Sequence, residues 1–138
     1  VSAELLLDTG ALVSLLDRRQ IFHDRCKKAL AGWKGAVVST EAVLTEATHL
    51  LRSQRGGRAA CVEVFVSGAV TLLPLTRVML QRVHALLQQY IDLPMDFADA
   101  TLVVLGEVLG TDFVLTTDRR DFEIYRIAGR RRFHILPE

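Results

Sequence analysis

The chain has 138 residues, half of them apolar, and its 17 basic residues against 16 acidic ones give a formal net charge of +1. That length suits one domain over residues 1–138 with an ordinary core, and so balanced a charge singles out no partner. No apolar run approaches the roughly 20 residues that cross a bilayer, no basic-apolar-small leader opens the chain, and Cys26 and Cys61 lack a disulfide-framework spacing. Together these read as a soluble cytoplasmic protein with no membrane attachment. The chain starts at Val1, so the initiator methionine is expected to be missing or trimmed.

In chain order, residues 4–7 (ELLL) predict a short buried strand ending at Asp8. Residues 9–17 then turn helical, with Leu12, Leu15 and Leu16 on one face. A second amphipathic helix is predicted over 21–33 and broken at Gly35, followed by a strand over 36–38. Ser39 or Thr40 caps a third helix running to about residue 53. Gly56 and Gly57 interrupt the chain before a helix over 58–66, and 69–75 (AVTLLPL) predicts a strand ended around Pro74. An amphipathic helix follows over 76–91, then one starting near Asp96 and stopping at Gly110, a residue suited to a left-handed helix end. A strand over 113–115, a short helix or turn over 118–125 and a last strand over 133–136 complete the reading. Strands alternating with helices predict an α/β fold, layered around a mostly parallel sheet.

Within this pattern several acids lie where local structure does not ask for them. Asp8 and Asp118 each follow a strand, and the carboxyl ends of parallel strands are where open α/β sheets place ligands. Glu46 falls on the apolar stripe of its helix, and Asp99 has Leu102 and Val103 at the third and fourth positions after it. Each has a structural alternative. Asp8 and Asp118 could cap the helices that follow, and Asp96 with Asp99 could form a relative of the capping box. Glu46 could pair with Arg52 or Arg77. One shared cause is more economical than four separate ones: a hard cation such as Mg²⁺ or Mn²⁺, which takes carboxylate oxygens and keeps several waters.

Other chemistries fit poorly. His23, His49, His84 and His134 have no zinc-type spacing among themselves or with the cysteines. No serine elbow and no glycine-rich phosphate loop is present. A haloacid-dehalogenase-type phosphatase would carry a second Asp where Gly10 stands, and a response-regulator receiver would need a late Lys, yet the last Lys is Lys34.

The segments LLLDTGAL (5–12), STEAVLTEATHLL (39–51), DFADATLVVLGE (96–107) and VLTTDRRDF (114–122), in this order, resemble a PIN domain of the VapC toxin type. The resemblance implies a three-layer α/β/α sandwich and a Mg²⁺- or Mn²⁺-dependent ribonuclease of a toxin–antitoxin pair. It also implies a frequent homodimer and a cognate antitoxin as partner. Asp8, Glu46, Asp99 and Asp118 match the family's acidic quartet, with Asp96 as a fifth acid, either a further ligand or only a cap. Thr116 matches its hydroxyl residue. The mechanism read from this is metal-assisted hydrolysis of RNA phosphodiesters by in-line attack of water, with Glu46 or Asp118 orienting it. Arg119, Arg120, Arg130, Arg131 and Arg132 are candidates for gripping the RNA backbone, or else a solvated surface. The competing class is a non-catalytic or RNA-processing PIN module that binds RNA or a protein partner.

Overall fold

The computed structural model describes residues 3–138. Five short strands form one parallel sheet: β1 (Leu5–Leu7), β2 (Val37–Ser39), β3 (Thr71–Leu72), β4 (Phe113–Leu115) and a closing strand, His134–Leu136, named β7 below. Their spatial order is β3-β2-β1-β4-β7, with Leu6 beside Val38 on one side and Val114 on the other. β1 is central and covered on both faces, so all three of its leucines are fully buried, as a doubly covered parallel strand requires. The chain winds outward from β1 through β2 to β3, then returns to β4 on the opposite side. The order of winding therefore reverses between β1 and β4, and a crevice opens there at the strands' carboxyl ends.

The helices are α1 (Thr9–Leu16), α2 (His23–Gly32), α3 (Glu41–Leu50), α4 (Gly57–Val66), α5 (Arg77–Gln89), α6 (Phe97–Leu109) and α7 (Arg119–Ile124). α6 is apolar almost all round because it lies between α5 and the central strand β1. It ends at Gly110, whose φ of 72° is left-handed, as the sequence predicts. The α/β sandwich around a parallel sheet is as expected.

Several ends shift by one to three residues, and three differences alter the strands or loops. β3 covers only Thr71–Leu72 because Leu73 gives the last ladder bond, to the Ser39 carbonyl, and Pro74 has no N–H to continue. α2 begins at His23, and residues 18–22 form turns instead. Residues 126–132, assigned no element from sequence, form an antiparallel hairpin of β5 (Arg126–Ile127) and β6 (Arg131–Arg132). Glu107 holds its tip, accepting from the Ala128 N–H at 2.7 Å while forming a two-pronged ion pair with Arg82.

Candidate active site

Asp8 stands at the end of β1, and its N–H donates to the Leu115 carbonyl of β4. It occupies the N-cap position of α1, yet its side chain makes no capping bond. Instead Asp8 Oδ2 accepts from Thr116 Oγ1 at 2.6 Å, and Thr116 Oγ1 accepts in turn from the Asp118 N–H at 2.9 Å. The side chain of Asp118 likewise caps nothing. The capping alternative holds only for α6. There Asp96 Oδ1 accepts from the Asp99 N–H at 2.8 Å, and Asp99 Oδ2 accepts from the Asp96 N–H at 3.2 Å, a reciprocal box.

Two residues that sequence reasoning missed orient these acids. Thr9 Oγ1 donates to Glu46 Oε1 at 2.9 Å, and the buried Tyr125 donates through its hydroxyl to Asp99 Oδ2 at 3.1 Å. A hydroxyl following Asp8 at the first turn of a helix was a readable signal for Thr9. Tyr125 had none, since only the fold brings α7's end against α6. Thr40 and Thr101, 2.9 Å apart, tie the start of α3 to α6, the two helices that carry Glu46 and Asp99. In Asp8, Glu46 and Asp99 alike, one carboxylate oxygen is thus held by a hydroxyl donor.

These side chains line one cavity of about 580 Å³ at the β1/β4 crevice: Asp8, Glu46, Asp96, Asp99, Asp118 and, unanticipated, Asp121. Asp121 lies three residues after Asp118 on α7, a spacing that places both on one helix face. No Lys or Arg lines this cavity, and among the described residues none of the six acids forms an ion pair. The proposed pairing of Glu46 with Arg52 is not made; Arg52 donates to the His49 carbonyl. A Cβ at Gly10 would meet the Thr117 hydroxyl that lies over it, so a larger residue there would displace the Thr117 side chain.

Carboxyls gathered with no counter-charge repel one another, and Asp8, Glu46, Asp99 and Asp118 resist ionisation. Burial pushes Asp8 from its ordinary 3.8 up to about 6, against the Thr116 hydrogen bond that favours its charge. Burial, then the charges of Asp8 and Asp96, push Asp99 up to about 8. Glu46 is raised by burial and by Asp96; Asp118 is raised by burial, Asp121 and Asp96. Hard oxygen donors in deficit of positive charge suit Mg²⁺ or Mn²⁺. Among the described residues, as they are arranged here, no three His, Cys, Asp or Glu side chains converge closely enough to hold a metal ion between them, so an ion would be held by fewer of them.

The predicted arginines divide. Arg119 and Arg120 are exposed in the first turn of α7, directly after Asp118. Arg130, Arg131 and Arg132 are not brought to the cavity. They belong to the hairpin that precedes β7, and Arg131 faces Asp112 at 3.8 Å, at the amino end of β4. The carboxylates stand at the other end of that strand.

A family model described as the PIN domain matches residues 5–129. The chain belongs to the PIN domain family. Within that family it is 27% identical over 135 residues to Ribonuclease VapC26 of Mycobacterium tuberculosis, covering 96% of this chain and all of the relative. Its PIN fold superposes on Mycobacterium tuberculosis VapC20, described as a Sarcin-Ricin loop cleaving toxin, with a TM-score of 0.73 at 20% identity, over 80% of this chain and 86% of the other. A toxin–antitoxin complex from Klebsiella pneumoniae gives 0.66 at 18% identity, over 86% and 89% of the two chains. At those identities the two structures speak for the PIN fold alone. Among the described residues no helix is long and apolar enough to cross a membrane.

Proposed function

We propose that this PIN domain is a Mg²⁺- or Mn²⁺-dependent endoribonuclease, the toxin of a toxin–antitoxin pair. In this reading it acts in the cytoplasm, as a homodimer, and is restrained by a cognate antitoxin. The observation that carries the reading is the cavity of six carboxyls without a protein cation, set at the sheet's reversal point. Its likeness to a ribonuclease along nearly the whole chain supports it, as do the two unpaired cysteines, which suit a reducing compartment.

Asp8 and Asp99, through the oxygens that Thr116 and Tyr125 leave free, would hold the metal, with Asp118 and Asp96 at its rim. When bound, the metal lowers the pKa of water and offsets the charge developing on the phosphate. Glu46, fixed through Oε1 by Thr9, offers its other oxygen to take the proton of a water attacking phosphorus in line. The raised proton affinity of Glu46 suits that task. Arg119 and Arg120 are placed to steady the phosphates beside Asp118.

The test is cleavage of structured RNA in Mg²⁺, in Mn²⁺ and in EDTA. Cutting that needs the metal is expected; RNA binding without cutting in any of the three would establish a non-catalytic module instead. A second expectation concerns Tyr125→Phe, which removes one of the donors to Asp99 Oδ2 and nothing else. It should lower cleavage about tenfold and weaken Mn²⁺ binding measured by titration, while costing about 1 kcal/mol of stability. Unchanged Mn²⁺ affinity would leave Tyr125 a packing residue only.

A further inference from the structure

Away from the carboxylates, five of the chain's arginines meet in one place. Arg18 and Arg19 follow the end of α1, while Arg52, Arg55 and Arg58 surround the turn from α3 into α4. The two sets face each other across a cavity of about 360 Å³ lined by Asp17, Arg18, Arg19, Gln54 and Arg55. It continues into one of about 300 Å³ that reaches Arg52 and Arg58. Gln54 fixes the arrangement, its Nε2 donating to the Leu16 carbonyl at 3.1 Å. The single acid present, Asp17, is consumed by Arg19. Among the described residues the other four arginines have no carboxylate within ion-pair distance. Cations gathered in a concavity repel, and of these five, among the described residues, only Arg19 is offset by an ion pair. A polyanion offsets the other four.

A further groove lies between the cleft and the carboxylate cavity along α1. Of about 440 Å³, it shares Gly10, Leu50 and Thr117 with that cavity and runs along α1 to Gln20, Ile21 and Phe22, next to Arg18 and Arg19. α1 has eight residues, so the run from Asp8 to the arginines is about 12 Å along the helix. Ile21, 92% exposed, lines this groove beside the Phe22 ring, over which the Arg25 guanidinium lies at 5.2 Å.

Resting on the ribonuclease reading above, we propose that the arginine cleft is the backbone-binding site for a single-stranded RNA segment flanking the scissile bond. Its bases lie along the Ile21–Phe22 groove and its phosphates on Arg18, Arg52, Arg55 and Arg58. Guanidinium forks match phosphate oxygens in pairs, which suits arginine to this role. The assignment moves the RNA grip from the hairpin arginines to residues that lie far apart in sequence.

The experiment compares the full chain with a variant carrying Arg18→Gln, Arg55→Gln and Arg58→Gln, and with one carrying Arg130→Gln, Arg131→Gln and Arg132→Gln. Binding of a labelled single-stranded RNA oligonucleotide is measured in EDTA across a salt series, and cleavage by the unmutated chain in Mn²⁺ alongside. The cleft variant should bind about tenfold more weakly at low salt, and its slope of log affinity against log salt should be shallower by about 2, for three lost phosphate contacts on a single strand. Its melting temperature should hold, since these side chains are exposed and unpaired. An unchanged slope, a larger loss in the hairpin variant, or loss of binding to an acidic protein partner with RNA binding intact would each overturn the cleft. Failure of the unmutated chain to cut in Mn²⁺ overturns the nuclease reading itself, and is read separately from the slopes.

Discussion

Asp8→Asn and Asp99→Asn should each reduce RNA cleavage by about 100-fold or more, a loss on the scale of removing a preorganised electrostatic group. The geometry makes the substitution more damaging than the loss of one charge. Asp8 Oδ2 accepts from Thr116, so in the asparagine variant the amide oxygen takes that place and the NH₂ group turns into the cavity. Asp99 behaves alike, because Oδ2 accepts from both Tyr125 and the Asp96 N–H. A donor then stands where the proposed cation would be held. The same variants should bind Mn²⁺ more weakly by titration, and in EDTA they should melt no lower than the unmutated chain, since each removes a member of a repelling cluster. Full cleavage by either variant would remove these residues from the site. A sharp fall in the EDTA melting temperature would instead mark them as structural acids.

The acids were legible in the sequence because each violates the pattern around it. Glu46 interrupts an apolar stripe, Asp99 opens a helix that is otherwise apolar, and Asp8 and Asp118 repeat the same strand-then-acid order. The three-residue spacing of Asp96 and Asp99 likewise foretold the capping box found at α6. What was hidden depends on packing between distant segments. Tyr125 reaches Asp99 only because α7 ends against α6, where Tyr90 and Phe122 meet its ring edge to face. The hairpin could not be read from RIAGRRR: its strands have two residues each, and its turn places Ala128 at φ 51° beside Gly129 at φ 72°, which no alanine announces. The arginine run 130–132 was conspicuous as a string and was therefore given a role that its place in the fold does not support. Arg18 and Arg55 were inconspicuous, yet they line one cavity because α1 packs against α3 and α4.

Without metal, the protein should become more stable as the pH falls from 8 to about 5. Asp8 and Asp99 carry folded-state values of about 6 and about 8 against an ordinary 3.8. Between those limits the folded chain binds protons that the unfolded chain has released, so stability is fully present below about pH 4 and is lost as the pH rises through 6 and 8. For Asp8 alone the difference between 3.8 and about 6 corresponds to about 3 kcal/mol. A rise of about 5–10 °C in melting temperature from pH 8 to pH 5 in EDTA is therefore expected. Asp17, held down to about 2 by its bonds to Arg19, acts in the opposite sense but only below pH 4, outside this window. Manganese should reverse the trend. On the proposed reading it binds the deprotonated carboxylates, so its stabilisation should grow with pH and the melting temperature in Mn²⁺ should flatten or climb towards pH 8. Parallel pH profiles in EDTA and Mn²⁺ would mean that the ion does not compete with these protons. A melting temperature that rises with pH in EDTA would mean that the carboxyls are already charged and compensated, and the cavity would lose its claim to a cation.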